Sequence, residues 1–166
     1  MIDLNLKNAN ILVIDDQQVN IDLLGDFLKM QGFDNVQCIT NPLLTLELFN
    51  SFKPDLILLD LMMPQMSGFE VMEMLKPLIP PDVYLPILVL TADISSSAKQ
   101  RAMTSGARDF ITKPFDFIDV FLRIRNLLET RYLHQELEKK NRMLEEKIAT
   151  IIEVNNMNYI MSYLQN

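Results

Sequence analysis

Five short apolar runs, each halted by a polar residue, constrain this chain more than any other feature. The middle run is the sharpest. Lys53-Pro54-Asp55 leads into Leu56-Ile57-Leu58-Leu59, which stops at Asp60. Four successive large apolar residues leave no solvent side, so Leu56 to Leu59 reads as a strand buried on both faces. Pro64, Ser67 and Gly68 mark the loop that follows. Ile11-Leu12-Val13-Ile14 stops at Asp15-Asp16, and Val36 to Ile39 is a weaker run. Ile87-Leu88-Val89-Leu90 ends on Thr91, and Asp109-Phe110-Ile111-Thr112 runs into Lys113-Pro114.

Helical patterns fill the gaps between these runs. Val19 to Met30 places Val19, Leu23, Leu24, Phe27 and Leu28 at helical spacing and closes at Gly32. Asn41-Pro42 reads as a cap and first turn for a helix through Phe52. Gly68 to Leu75 is a short helix. The four prolines between Lys76 and Pro86 predict a loop. Ser95 to Ser105, with Ala98, Ala102 and Met103, predicts a weakly amphipathic surface helix ended by Gly106. Strand and helix therefore alternate five times. That pattern predicts an α/β fold, a doubly wound five-stranded parallel sheet with right-handed crossovers.

From Phe117 a helical pattern runs to the chain end without Gly or Pro, longer than a domain helix needs. Leu137, Asn141, Leu144, Ile148, Ile151 and Asn155 are spaced as a heptad seam. Asn141, Ile148 and Asn155 fall at a, and Leu137, Leu144 and Ile151 at d. Lys140 at g and Glu145 at the next e pair between parallel chains. The expectation is a parallel homodimer, set against a lone solvated helix or a linker paired only in a longer protein. His134 falls at an a position and reads as an interfacial or solvated residue. The expected organisation is an N-terminal segment (1–8), a domain (9–128), a helical extension (129–155) and a tail of unassigned role (156–166).

Charge and composition narrow the partners. A net charge of −7 gives no global pull toward nucleic acid or anionic membrane. No apolar run reaches the ~18 residues of a membrane span, and no signal peptide is indicated. The single Cys38 excludes an intrachain disulfide and sits in an apolar run as a small buried hydrophobe. The expected location is cytoplasmic.

In a doubly wound sheet the strand ends share one edge, which here collects Asp15, Asp16, Asp60, Thr91 and Lys113. Three crowded carboxylates repel unless a cation joins them. Carboxylate and water ligands suit Mg²⁺, which keeps several waters beside one or two protein carboxylates and a phosphate. A lysine suits a phosphoryl oxygen, and a threonine hydroxyl can hydrogen-bond a phosphoryl group. These parts describe a site that places a phosphoryl group on a carboxylate. Asp60 is the best-placed nucleophile, and Asp15 and Asp16 are more suited to hold metal.

These pieces resemble the receiver domain of two-component response regulators, across residues 9 to 128. They are Ile14-Asp15-Asp16, Asp60-Leu61-Met62-Met63-Pro64 with Ser67-Gly68, Leu90-Thr91-Ala92, Gly106-Ala107 and Lys113-Pro114-Phe115. Each is short; their order on successive strand ends is what is specific. The resemblance implies a CheY-like, flavodoxin-like sheet of order 2-1-3-4-5. It implies that Asp60 accepts phosphate from a phosphohistidine on a sensor kinase or phosphotransfer protein. Mg²⁺ is then held by Asp15 or Asp16, Asp60 and the backbone carbonyl of Met62. Lys113 pairs with the phosphoryl group, with a cis peptide before Pro114. Thr91 moves toward the phosphate, Phe110 changes rotamer with it, and the 95–128 face presents a different surface. Met62 and Asp93 stand where this family tunes phosphoryl lifetime, and a Met at 62 points to slower loss. Phe110 stands where Tyr is common, so no hydroxyl takes part in that switch; plain core packing is its other reading.

Three alternatives are weighed against this one. A phosphatase of the haloacid dehalogenase type needs a second Asp two residues after the nucleophile, where this chain has Met62. A flavodoxin-like electron carrier needs a Ser/Thr/Gly-rich loop after the first strand, where this chain has Asp15-Asp16-Gln17-Gln18. A pure dimerisation module with a dead receiver is opposed by the intact Asp60, Thr91 and Lys113. Arg123 to Glu146 resembles the linker before cyclic-di-GMP enzymes in some regulators; no such effector lies within these 166 residues, so the chain reads either as a fragment of a longer regulator or as a stand-alone receiver with a dimerising tail.

Overall fold

A computed structural model describes residues 4–165; the first three residues of the 1–8 segment and the last residue of the 156–166 tail lie outside them. The elements in order are α1 (Leu4–Lys7), β1 (Asn10–Ile14), α2 (Gln18–Met30), β2 (Asn35–Ile39), α3 (Thr45–Phe52), β3 (Leu56–Leu59), α4 (Gly68–Leu75), β4 (Ile87–Thr91), α5 (Ser96–Ser105), β5 (Asp109–Thr112) and α6 (Phe117–Leu164). The five strands are all parallel and lie in the order β2-β1-β3-β4-β5. The expected doubly wound α/β sheet is therefore present, with the expected strand order and the long last helix. The chain divides into two compact units, one ending at Arg131 and one beginning at Tyr132.

Period-2 alternation assigns the sheet residues to two cores. Ile11, Val13, Leu56, Leu58, Leu88 and Leu90 pack on one face with Ile21, Leu24 and Leu28 of α2 and Val120, Ile124 and Leu128 of α6. Leu12, Ile14, Ile57, Leu59, Ile87 and Val89 pack on the other with Val71, Met72 and Leu75 of α4 and Ala102 of α5. All four residues of β3 are fully buried, because β1 and β4 flank it and helices cover both faces.

Burial adds detail to three of these elements. Val19 and Leu23 face solvent, 62% and 53% exposed; the inward line of α2 is Ile21, Leu24, Gly25 and Leu28. The physical reason lies in Gly25. A Cβ there would stand 3.3 Å from the Cys38 sulfur, so this face of α2 lies directly against β2. Met103 is likewise outward, 45% exposed, because Ala98 and Ala102 carry α5's contact with the domain. Within the proline loop, Lys76–Leu78 winds one 3-10 turn continuous with the end of α4.

The helix starts follow their local chemistry. The Asn41 side chain accepts from Leu43 N–H before a 3-10 turn at Pro42–Leu44. Ser95 Oγ accepts from Ala98 N–H at the start of α5. Gly106 ends α5 at φ 120°, a left-handed conformation that favours glycine.

Arg131 closes the first unit from a distance no local pattern encodes. Its Nε donates to Asp55 Oδ1 at 3.0 Å and its Nη1 to the Tyr84 carbonyl, while Asp55 Oδ2 accepts from Asn10 N–H at 2.9 Å. One guanidinium thus ties α6 to the entries of β1 and β3 and to the loop before β4. Arg131→Ala is expected to lower stability by about 1–3 kcal/mol, read as a lower urea midpoint. Arg131→Lys recovers only part of it, because an ammonium lacks the planar fork.

Candidate phosphoacceptor site

The carboxyl ends of β1, β3, β4 and β5 bring Asp15, Asp16, Asp60, Thr91 and Lys113 to one edge of the sheet. Asp15, Asp16 and Asp60 each offer an oxygen within 4.8 Å of the others. Asp15 is 2% exposed and Asp60 6% exposed. Buried carboxyl groups need hydrogen-bond or charge partners.

Those partners are specific. Asp15 Oδ1 accepts from Gln17 N–H at 2.9 Å, and Asn20 Nδ2 donates to both Asp15 oxygens. Lys113 Nζ lies 2.6 Å from Asp15 Oδ2 and 3.3 Å from Asp60 Oδ2, so one ammonium bridges two acids. Asp60 Oδ1 accepts a long bond from Met62 N–H at 3.3 Å. Asp16 differs: its Oδ1 is buried and has no hydrogen-bond partner. A buried carboxylate oxygen without a donor, beside two further carboxylates, fits a hard divalent cation with oxygen ligands.

The remaining predicted residues frame this cluster. Thr91, the last residue of β4, is fully buried, and its Oγ1 accepts from Asp93 N–H. That bond uses a lone pair and leaves the hydroxyl proton to be donated. Asp93 Oδ1 accepts from Ser95 N–H, and the Ser95 hydrogen bonds hold the Asp93 carboxyl below the usual carboxylate range. Lys113 N–H donates to the Thr91 carbonyl at 2.8 Å, and the Lys113–Pro114 peptide is cis. Met62 is 63% exposed at the rim. Phe110 of β5 is half-buried and packs against the second core. The seam residues Leu137, Asn141, Leu144, Ile148 and Ile151 belong to the second unit and are exposed along α6.

Asn20 carries no signal in the sequence, and Gly68, legible there as a loop mark, has a role the sequence does not show. Asn20 sits in the first turn of α2 and clamps Asp15 from five residues away; only the turn at Asp16-Gln17 brings it there. Gly68 was read as a loop mark, but its role is steric. A Cβ on it would collide with the Asp60 carbonyl oxygen and would lie 2.9 Å from Leu61 Cα. Its N–H donates to Leu61 O at 3.0 Å, which closes the loop after β3. Ser67 and Glu70 cap α4 reciprocally and fix where that loop ends.

Burial pushes the Asp60 carboxyl above the usual carboxylate range; Lys113 pulls the other way and Asp15 adds to the rise. A carboxyl with a raised pKa in the folded state stabilises the fold fully below its unfolded value, and this is lost as pH climbs through the folded value. At neutral pH the charge is a burden. In buffer free of divalent cations, Asp60→Asn should therefore raise the urea midpoint at pH 7. The gap should shrink as pH falls below the ordinary carboxylate range.

The family model for the response regulator receiver domain matches residues 11–125. The transcriptional regulatory protein YvrH of Bacillus subtilis is 34% identical over 131 residues, covering 79% of this chain and 54% of the relative. The response regulator PleD of Caulobacter vibrioides is 35% identical over 133 residues, covering 80% of this chain and 29% of the relative. The chain thus spans between about a third and about half the length of these two relatives. Among solved structures, NtrX from Brucella abortus superposes with a TM-score of 0.71 at 27% identity, covering 80% of this chain and 29% of NtrX. A CheY-like receiver domain protein from Methanospirillum hungatei gives a TM-score of 0.69 at 23% identity over 75% of this chain and 97% of its own, a likeness of fold. Receiver domains are phosphoacceptor signalling domains of two-component systems, and they interact with histidine kinases or phosphotransfer proteins and with effector domains. With the matched segment covering most of the chain and its strand ends bearing the expected acids, threonine and lysine, the chain belongs to the response regulator receiver domain family.

Proposed function

We propose that Asp60 accepts a phosphoryl group from a phosphohistidine of a sensor kinase or phosphotransfer protein, in a Mg²⁺-dependent reaction. The observation that carries this is the grouping of Asp60 with Asp15, the orphaned oxygen of Asp16, and the bridging Lys113 ammonium. Asp15, Asp16, Asp60 and the Met62 carbonyl would hold the ion. When bound, it neutralises phosphoryl charge and orients the oxygens.

The chain's own residues do the rest. An Asp60 carboxylate oxygen attacks phosphorus while the bond from phosphorus to the donor imidazole nitrogen breaks. The imidazole keeps that electron pair and takes up a proton. Lys113, already 3.3 Å from Asp60, pairs with a phosphoryl oxygen. The Thr91 hydroxyl donates its free proton to another oxygen, and Phe110 repacks as Thr91 moves. Met62 supplies no hydrogen bond from its side chain to position an attacking water, which favours slower loss of the phosphoryl group. Incubation with acetyl phosphate and Mg²⁺ tests this: the protein gains one phosphoryl group per chain, and Asp60→Asn gains none. No gain by the natural sequence contradicts it.

Metal binding has its own readout. At Mg²⁺ a hundredfold above its Kd, stability is expected to rise by about 2.7 kcal/mol, and Asp16→Asn should remove most of that rise. An equal rise in Asp16→Asn excludes Asp16 from the ion's ligands.

The output runs through the 95–128 face and α6. We read Leu137, Asn141, Leu144, Ile148 and Ile151 as the seam of a parallel homodimer in the helical extension, passing the state of the 9–128 domain to an effector domain or protein outside this chain. The exposure of these apolar side chains, each above half, supports that reading. Light scattering at micromolar concentration should give at least two chains per particle, with or without a phosphate mimic; a monomer contradicts it. No helix among the described residues is long and apolar enough to cross a membrane. A cytoplasmic site of action fits the partners proposed.

A further inference from the structure

The distal part of α6 carries a second apolar seam that the first cannot cover. Val154, Met157, Met161 and Leu164 are spaced 3, 4 and 3, a heptad frame of its own. All four are exposed, from 48% at Val154 to 77% at Leu164. This frame runs one residue ahead of the proximal one, since Val154 precedes the a-position Asn155. One residue is a rotation of about 100° around a helix of 3.6 residues per turn. Where the second seam is apolar, the first turns polar, at Asn155, Asn158 and Ser162. A chain paired through Leu144 and Ile151 therefore leaves the second seam facing a different neighbour. Two faces about a right angle apart are what each helix shows in a square four-helix cluster.

The character of the segment narrows that neighbour. No charged residue lies between Val154 and Asn166. Without Lys or Arg it has nothing to meet anionic headgroups or phosphates, so a membrane surface and nucleic acid are poor occupants. It also lacks the flanking charges by which helices select a foreign partner and reject their own copy. The frame is self-complementary. An antiparallel overlap centred on Tyr159 sets Val154 against Leu164 of the partner copy and Met157 against Met161. Parallel packing would instead continue back to Lys147, which lies in the same frame, and set it against its own copy.

We propose that residues 154–164 dock antiparallel on the same residues of a second copy, joining two dimers tail to tail into a tetramer. The tetramer rests on the parallel dimer proposed above; the docking of the tail does not. Light scattering on the full 166-residue chain tests both. The natural sequence should give four chains per particle, and Met157→Glu/Met161→Glu two, with the unfolding midpoint of the first unit unchanged. Two chains in both proteins overturn the tail docking and leave the dimer standing. Two chains falling to one on that substitution keep the docking and overturn the proximal dimer. One chain in the natural sequence overturns both. Orientation is read separately, by disulfide cross-linking in a Cys38→Ala background. A mixture of Met157→Cys and Met161→Cys chains should cross-link to each other. Cross-linking of Met161→Cys to itself overturns the antiparallel arrangement.

Discussion

Asp60→Asn is expected to abolish phosphoryl acceptance, a loss on the order of 10³-fold or more in the rate of acyl phosphate formation. The amide keeps nearly the same shape and can still contact Lys113, so packing is preserved. It lacks the anionic oxygen that attacks phosphorus. Asp15 does not substitute, although its oxygen is nearby. It is 2% exposed against 6% for Asp60, and Gln17 N–H, Asn20 and Lys113 hold its oxygens in place, so it is the less accessible of the two to a phosphoryl donor. The same substitution removes a carboxyl whose ionisation burial opposes. The variant should therefore be inactive and, without divalent cations at pH 7, more stable than the natural sequence. Loss of activity with loss of stability would instead indicate a structural role for Asp60.

Gly68→Ala should produce the largest stability effect of any single methyl addition in the domain. The new Cβ would overlap the Asp60 carbonyl oxygen and press on Leu61, which is fully buried. Both contacts involve backbone that Gly68 N–H and Asp60 N–H already pin, the latter to Ile14 O at 2.9 Å. The expected cost is about 3 kcal/mol, read as a drop in the urea midpoint. Because relief requires moving the backbone of Asp60 itself, acyl phosphate formation should fall by about tenfold or more in the folded fraction. Gly25→Ala is the matched control. Its Cβ meets only the Cys38 sulfur, at 3.3 Å, and gains helix propensity, so its net effect should stay within about 1 kcal/mol. Equal effects in the two variants would remove the special role of the loop after β3.

Much of this was legible because the sheet is buried on both faces. Continuous apolar runs mark such strands, and each run's abrupt stop at a polar residue marks the sheet edge. Asp60 and Thr91 stand out for that reason. What stayed hidden depends on the third dimension. Arg131 and Asp55 are distant in sequence, and nothing near either predicts their ion pair. The clamp of Asn20 on Asp15 depends on one turn of backbone. The preference of Lys113 for Asp15 over Asp60 is a matter of 2.6 against 3.3 Å. Periodicity marks α2 but not its inward face: two apolar lines share that helix, and burial takes Ile21, Leu24 and Leu28 while leaving Val19 and Leu23 outside.

Val19, Leu23 and Met62 are large apolar side chains left exposed on residues near the acids in sequence. Small phosphodonors have no use for such contacts, whereas a protein donor does. Placing a charge on this exposed residue with Val19→Lys should therefore slow transfer from a kinase by about tenfold while leaving transfer from acetyl phosphate unchanged. Equal slowing with both donors would place Val19 in the site's own integrity rather than in recognition.

Asp60, and no other acid of the cluster, is expected to carry the phosphoryl group. Borohydride reduction of the protein after incubation with acetyl phosphate and Mg²⁺, followed by peptide mass mapping, reads this directly. An aspartyl phosphate is reduced to homoserine, and an unmodified aspartate is not. Homoserine is expected in place of Asp60 alone, only when both donor and Mg²⁺ are present. Conversion at Asp15 or Asp16, or an intact Asp60 under those conditions, would contradict it.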